Sequence, residues 1–83
     1  MKGSEFKAIR EGLGLSQDEL AAVLCLSGKQ AVSNIETGFR NPSKLSAVLM
    51  RVFSGLSRSR FKELSGLMLE LGSDIHGGKK RGR

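Results

Sequence analysis

The chain has 83 residues, a formal charge of +6, one cysteine and one proline. So little surface cannot enclose two cores, and a lone Cys25 excludes an internal disulfide and a cysteine-based zinc site. No apolar run approaches the ~18 residues of a membrane span, and no charged start leads into an apolar signal region, so a soluble cytoplasmic protein that avoids membranes is expected.

Helices are favoured over sheet, because β-branched residues are sparse and aromatic ones sparser still. The first helix is predicted from about Glu5 to Glu11, with Ser4 as N-cap and Gly12 and Gly14 as stops. Phe6, Ile9 and Leu13 fall on its inner side. Ser16-Gln17-Asp18-Glu19 opens the second helix as a capping box. In that motif the serine oxygen accepts from the Glu19 N–H, and the glutamate carboxylate accepts from the serine N–H. Leu20, Ala21 and Leu24 form its apolar stripe, which stops near Cys25.

Ser27-Gly28-Lys29-Gln30 repeats the capping pattern for a third helix, with Val32 and Ile35 facing inward and Gly38 as a left-handed terminator. Asn41-Pro42 predicts the start of a fourth, where proline's missing N–H costs nothing. Leu45, Val48, Leu49, Val52 and Phe53 then make a core stripe, ended by Gly55. Ser57 or Ser59 caps a fifth helix with Phe61, Leu64, Leu67, Met68 and Leu71 on one side. Past Gly72 the periodicity ends. The predicted fold is all-α, a compact five-helix domain over residues 1–72 followed by a disordered, flexible basic tail over 73–83.

The charge is uneven. Residues 27–62 carry seven basic side chains against Glu36 alone, whereas residues 1–26 are nearly balanced. A basic centre on a balanced fold points to a polyanion partner. With Val32 and Ile35 inward, Gln30, Ser33, Asn34 and Thr37 line up at i, i+3, i+4 and i+7 on the other side of the third helix, with Lys29 beside them. Gln and Asn amides can each bridge adenine N6 and N7, and a lysine suits guanine O6 and N7. Lys29, Gln30, Ser33, Asn34 and Thr37 are therefore the candidate base-reading residues. Gln30 has a competing use in the capping box, which makes Asn34 the cleaner candidate.

Ser16, Gln17 and the first N–H groups of the second helix form a positive helix end suited to a phosphate. Arg40, Asn41 and Lys44, just past the third helix, are placed to grip a strand from the other side. Arg51, Arg58 and Arg60 stand between phosphate contact and plain solvation.

The run Leu13-Gly14-Leu15-Ser16-Gln17-Asp18-Glu19-Leu20-Ala21, followed by Ile35-Glu36-Thr37-Gly38-Phe39-Arg40-Asn41-Pro42, resembles the Cro/repressor-type, or XRE, helix-turn-helix family. The resemblance covers roughly Phe6 to Leu71. It implies a lambda-repressor-like fold, double-stranded DNA as partner, base contacts from the third helix, and a backbone contact from Gln17. It also implies a structural ion pair between Arg10 and Glu36 that clamps the first helix to the third. One departure is a residue of extra length between Leu26 and Val32, most simply absorbed at Gly28. Cys25 takes a place where the family often has glycine, and a small half-buried filler is expected there.

Met50 and Leu69 fall off the predicted inward faces, with Leu67 or Leu71 near the latter, and could form a two-fold homodimer patch. Lys79, Lys80, Arg81 and Arg83 of the tail either add non-specific affinity or merely solubilise. No metal site, cofactor or catalytic constellation is apparent, so no enzymatic activity is expected. The expected function is a sequence-specific DNA-binding transcriptional regulator, a repressor by default, reading an inverted repeat with the helix around 28–37. The alternative is an antitoxin that holds a toxin partner and regulates its own operon.

Overall fold

The structure is a computed structural model describing the backbone of residues 1–81 and the side chains of residues 1–72. Five helices follow in order: α1 (Gly3–Gly12), α2 (Gln17–Val23), α3 (Lys29–Glu36), α4 (Lys44–Gly55) and α5 (Arg58–Arg81). No strand occurs among the described residues, and none of the described helices is long and apolar enough to cross a membrane. α2 and α3 pack together as the central pair, α1 crosses α3 and α4, and α5 returns against α2.

The core these helices share is aliphatic with three rings in it. Phe6, Leu20, Val32, Met50 and Phe53 are fully buried, and Ala21, Val23, Ile35 and Phe61 nearly so. Phe53 and Phe61 meet edge to face at 5.0 Å between centroids and 69° between planes, a geometry that aligns ring edge with ring face. This contact joins α4 to α5.

α1 begins earlier than its sequence indicates. Lys2, not Ser4, stands at the N-cap, and its side chain makes no capping bond. Gly3 accounts for the difference. A β-carbon at this position would overlap the Ile35 carbonyl oxygen and stand 2.7 Å from that of Glu36. The start of α1 is therefore set by backbone lying on the end of α3, a contact that only glycine permits.

α2 forms as its sequence dictates. The Glu19 N–H donates to Ser16 Oγ at 3.1 Å, and the Ser16 N–H donates to Glu19 Oε1 at 2.8 Å. Its C-terminus closes through Leu26 N–H to the Ala21 carbonyl (2.8 Å) and Cys25 N–H to the Ala22 carbonyl (3.2 Å), the Schellman pattern. That pattern needs a left-handed residue, and Cys25 supplies it at φ +57°. Cys25 is exposed rather than the half-buried filler expected, although its Sγ lies 2.8 Å from where a β-carbon on Gly72 of α5 would sit.

The second capping box does not form. Gly28 is the N-cap of α3 with no side-chain bond, in an extended conformation, and Ala31 N–H closes the first turn onto the Gly28 carbonyl at 3.0 Å. At the other end Gly38, at φ +85°, terminates α3 as expected.

α4 starts at Ser43, whose Oγ accepts from the Ser46 N–H at 3.1 Å, and not at Asn41-Pro42. Its predicted core stripe is also rotated. Leu45, Val48 and Val52 are exposed, whereas Ser46, Met50 and Phe53 are buried and Leu49 is half-buried. Apolar residues surround α4 almost completely, so spacing alone offered two stripes, and the side turned into the shared core is the one containing Met50. Met50 is consequently unavailable to a dimer patch.

Ser57 caps α5 by accepting from the Arg60 N–H at 3.3 Å. Phe61, Leu64 and Met68 face inward as expected, but Leu67 and Leu71 are exposed, as is Leu69. The helical span runs past Leu71, because a glycine such as Gly72 costs only about 1 kcal/mol within a helix. The side chains of the expected tail, His76 and the basic cluster from Lys79 onward, lie outside the described residues.

Candidate nucleic-acid interface

α3 is fixed in rotation by two anchors. Val32 is fully buried and Ile35 is 6% exposed, so the opposite side of a straight eight-residue helix must face out. Lys29, Gln30 and Thr37 are exposed, and Ser33 and Asn34 are half-buried on the flanks of the same ridge. The five candidate base-reading side chains thus lie along one helix face, none of them drawn into the core.

Within that row the amides are ordered. Gln30 Nε2 donates to Asn34 Oδ1 at 3.0 Å, one turn apart. Gln30 is thereby free of the capping role foreseen for it. The pairing leaves Asn34 its amide N–H groups and Gln30 its carbonyl oxygen for an incoming base edge. Restricting two flexible side chains before binding reduces the entropy that recognition would otherwise cost.

The loop after α3 is tied to the same residue. Arg40 N–H donates to the Asn34 carbonyl at 3.0 Å, and Thr37 Oγ1 donates to it at 3.3 Å. A cleft of about 400 Å³ lies between α3 and this loop, lined by Gln30, Asn34, Arg40, Asn41 and Ser43. Candidate base readers and candidate phosphate grips therefore share one surface. Arg40 and Asn41 are exposed along it, and Lys44 is exposed at the start of α4. The chain from Thr37 to Lys62 contains no acidic residue to oppose them.

Beneath this surface sits the ion pair implied by the family resemblance. Arg10 Nε donates to Glu36 Oε2, and a second guanidinium nitrogen donates to Glu36 Oε1 at 3.2 Å. The third reaches the Leu15 carbonyl at 2.8 Å, so one side chain links the end of α1, the turn before α2 and the end of α3. Both residues are half-buried as wholes, with the charged side chains largely covered at exposures of 11% for Arg10 and 4% for Glu36. Burial pushes the Glu36 carboxyl up, but the hydrogen bonds from Arg10 and Gln17 and the positive charges of Arg10 and Lys7 outweigh it. The carboxyl is held below its ordinary value. The hydrogen bond to Glu36 holds the Arg10 guanidinium above its own, against an opposing effect of burial.

Gln17 enters this network. Its Nε2 donates to Glu36 Oε1 at 3.0 Å, so the side chain expected on a phosphate is partly committed inside the protein. Ser16 is likewise engaged on both its oxygen and its N–H by Glu19. Arg51 pairs with Glu5 at 3.4 Å on an exposed edge between α4 and α1, and Arg58 and Arg60 are exposed at the start of α5.

Three residues carry structural weight that spacing did not reveal: Gly3, Cys25 and Met50. Only Cys25 left a signal, in standing where similar sequences have glycine. No cluster of His, Cys, Asp or Glu able to hold a metal occurs among the described residues.

A helix-turn-helix family model matches residues 6–53, which span α1 through most of α4 and include every residue of the surface just described. No curated protein and no solved structure gives a match to this chain. The family match covers more than half of the chain and contains the α2–turn–α3 unit and its Arg10–Glu36 brace. The chain belongs to the XRE-type helix-turn-helix family of DNA-binding transcription regulators.

Proposed function

We propose that the protein is a sequence-specific transcriptional regulator that binds a short inverted-repeat operator as a homodimer and represses by covering it. The supporting observation is the fixed rotation of α3, with Val32 and Ile35 buried and a polar row outward beside a loop of cations. Lys29, Gln30, Ser33, Asn34 and Thr37 read base edges in the major groove, and each good bidentate contact discriminates by ~1–3 kcal/mol. Arg40, Asn41 and Lys44 hold phosphates and fix register without selecting sequence. Ser16 and Gln17 present the start of α2 to the neighbouring phosphate, Gln17 through the amide hydrogen that Glu36 does not use.

Leu67 and Leu71, one turn apart, leave apolar surface exposed on one side of α5, the surface through which a second copy would dock, whereas the exposed Leu69 lies on the other flank of the helix. Such a dimer sets two recognition helices one DNA turn apart, about 34 Å. Selection of bound sites from random duplex DNA tests the proposal. Enrichment of a two-fold symmetric site with half-sites ~10 base pairs apart is the expected result. Absence of any enriched sequence overturns it.

A further inference from the structure

Three of the four phenylalanines are core residues: Phe6 and Phe53 are fully buried and Phe61 is 5% exposed. The fourth, Phe39, is 79% exposed, the highest value for a large apolar side chain among the described residues. Leaving such a ring in water forgoes about 1.5–3 kcal/mol of burial. An ordinary loop would place a polar residue there.

The loop that carries it is not loose. Gly38 N–H donates to the Ile35 carbonyl at 3.1 Å on one side of Phe39, and Arg40 N–H donates to the Asn34 carbonyl at 3.0 Å on the other. Phe39 is thus held between two backbone bonds to α3, and its position is fixed relative to the base-reading row. Its surroundings are cationic, with Arg40 next in sequence, Lys44 at the start of α4 and no acidic residue from Thr37 to Lys62. A polyanion fits this setting. A phenyl ring, however, has no atom that can bind a phosphate.

We propose that Phe39 is a specificity-determining residue that packs on the C5-methyl group of a thymine in the major groove, beside the bases met by Asn34. The inference rests on the DNA-binding reading above. A thymine methyl is the apolar group that base edges present in the major groove, and aromatic contact with it is a recognised form of direct readout. Flanking cations supply position; the ring supplies discrimination. Withdrawing one methyl from water corresponds to about a fourfold change in affinity per contact.

The test replaces each thymine of the selected operator in turn by deoxyuridine, which deletes only that methyl. Binding is titrated for the full chain and for its Phe39→Ala variant. One thymine per half-site is expected at which uracil weakens the native protein about fourfold and leaves Phe39→Ala unaffected. Equal responses of the two proteins at every thymine overturn the proposal. The variant's thermal melt and sedimentation without DNA are expected to match those of the native chain. A shift in either assigns the ring to folding or to a second copy, and also overturns it. Failure of the underlying reading has a different signature: neither protein then prefers any sequence, and Asn34→Ala changes nothing.

Discussion

Asn34 does two jobs with different atoms. Its carbonyl anchors Thr37 and Arg40, while its amide, oriented by Gln30, faces outward. Replacing it by alanine leaves the backbone carbonyl in place and removes the side-chain amide proposed to read a base, together with its bond from Gln30. Asn34→Ala is therefore expected to lose ~1–3 kcal/mol of discrimination at one or two base pairs while non-specific binding stays nearly intact. Competition between the selected operator and single-position variants of it measures this; an equal loss on every sequence contradicts base reading. Arg40→Ala should behave in the opposite way. It removes a charge and no base contact, so affinity falls on all sequences alike and the slope of log K against log salt decreases by about one. Titration at several salt concentrations, on specific and random duplexes, separates the two residues. The outward row itself was legible in the sequence, because Val32 and Ile35 at a spacing of three leave only one side for polar residues. The commitment of Gln17 to Glu36 was not, since it depends on how closely α2 and α3 approach.

The helices differ in how much of their definition is local. α2 is the clearest case, for Ser16 and Glu19 satisfy each other across three residues with no help from elsewhere. Ser16→Ala should cost about 1 kcal/mol and lower the melting temperature by roughly 4–8 °C. Circular dichroism is the suitable probe, as the chain lacks tryptophan and tyrosine. An unchanged melt would show that packing alone sustains this seven-residue helix. By contrast, α3 has a similar capping sequence but starts from Gly28 without a side-chain cap. There Gln30 has a better partner in Asn34, one turn along the exposed face, and the local motif loses to it. α4 presents the same lesson on a larger scale. Apolar residues at 45, 48, 49, 50, 52 and 53 are compatible with two buried stripes, and the choice between them belongs to the core shared with the other helices.

The three-way link from α1 through Arg10 and Glu36 to α3 and the α1–α2 turn holds α3 in register with the rest of the fold. A chain of this length is expected to be stable by only ~4–12 kcal/mol. Breaking a buried pair by removing one partner's charge costs ~3–5 kcal/mol, so Glu36→Gln should remove much of that margin. The pH dependence follows from the shift. Because the folded carboxyl lies below its ordinary value of 4.5, the pair's contribution is complete above that pH and is lost as pH falls through the lowered folded value. Arg10 is shifted upward by the same pairing and stays charged throughout the neutral and acid range, so the loss in acid follows the titration of Glu36. Urea unfolding across pH 2–7 should show the native chain and Glu36→Gln separated by a constant gap above about 4.5 that narrows below it. A gap independent of pH would mean that the carboxylate is not what stabilises the pair.

Composition, capping residues and apolar spacing sufficed for five helices, for the order of those helices, and for the polar side of α3, because each of these depends on residues within one or two turns of each other. The start of α1, the buried side of α4, the exposure of Cys25 and the partner of Gln17 depended instead on contacts between residues far apart in the chain. Only glycine fits at position 3, because the α3 carbonyls lie above it, and Met50 rather than Val48 or Val52 is the residue of α4 that the shared core covers. Local chemistry fixes where a helix can form, but close packing of several helices against one small core selects its rotation and its neighbours.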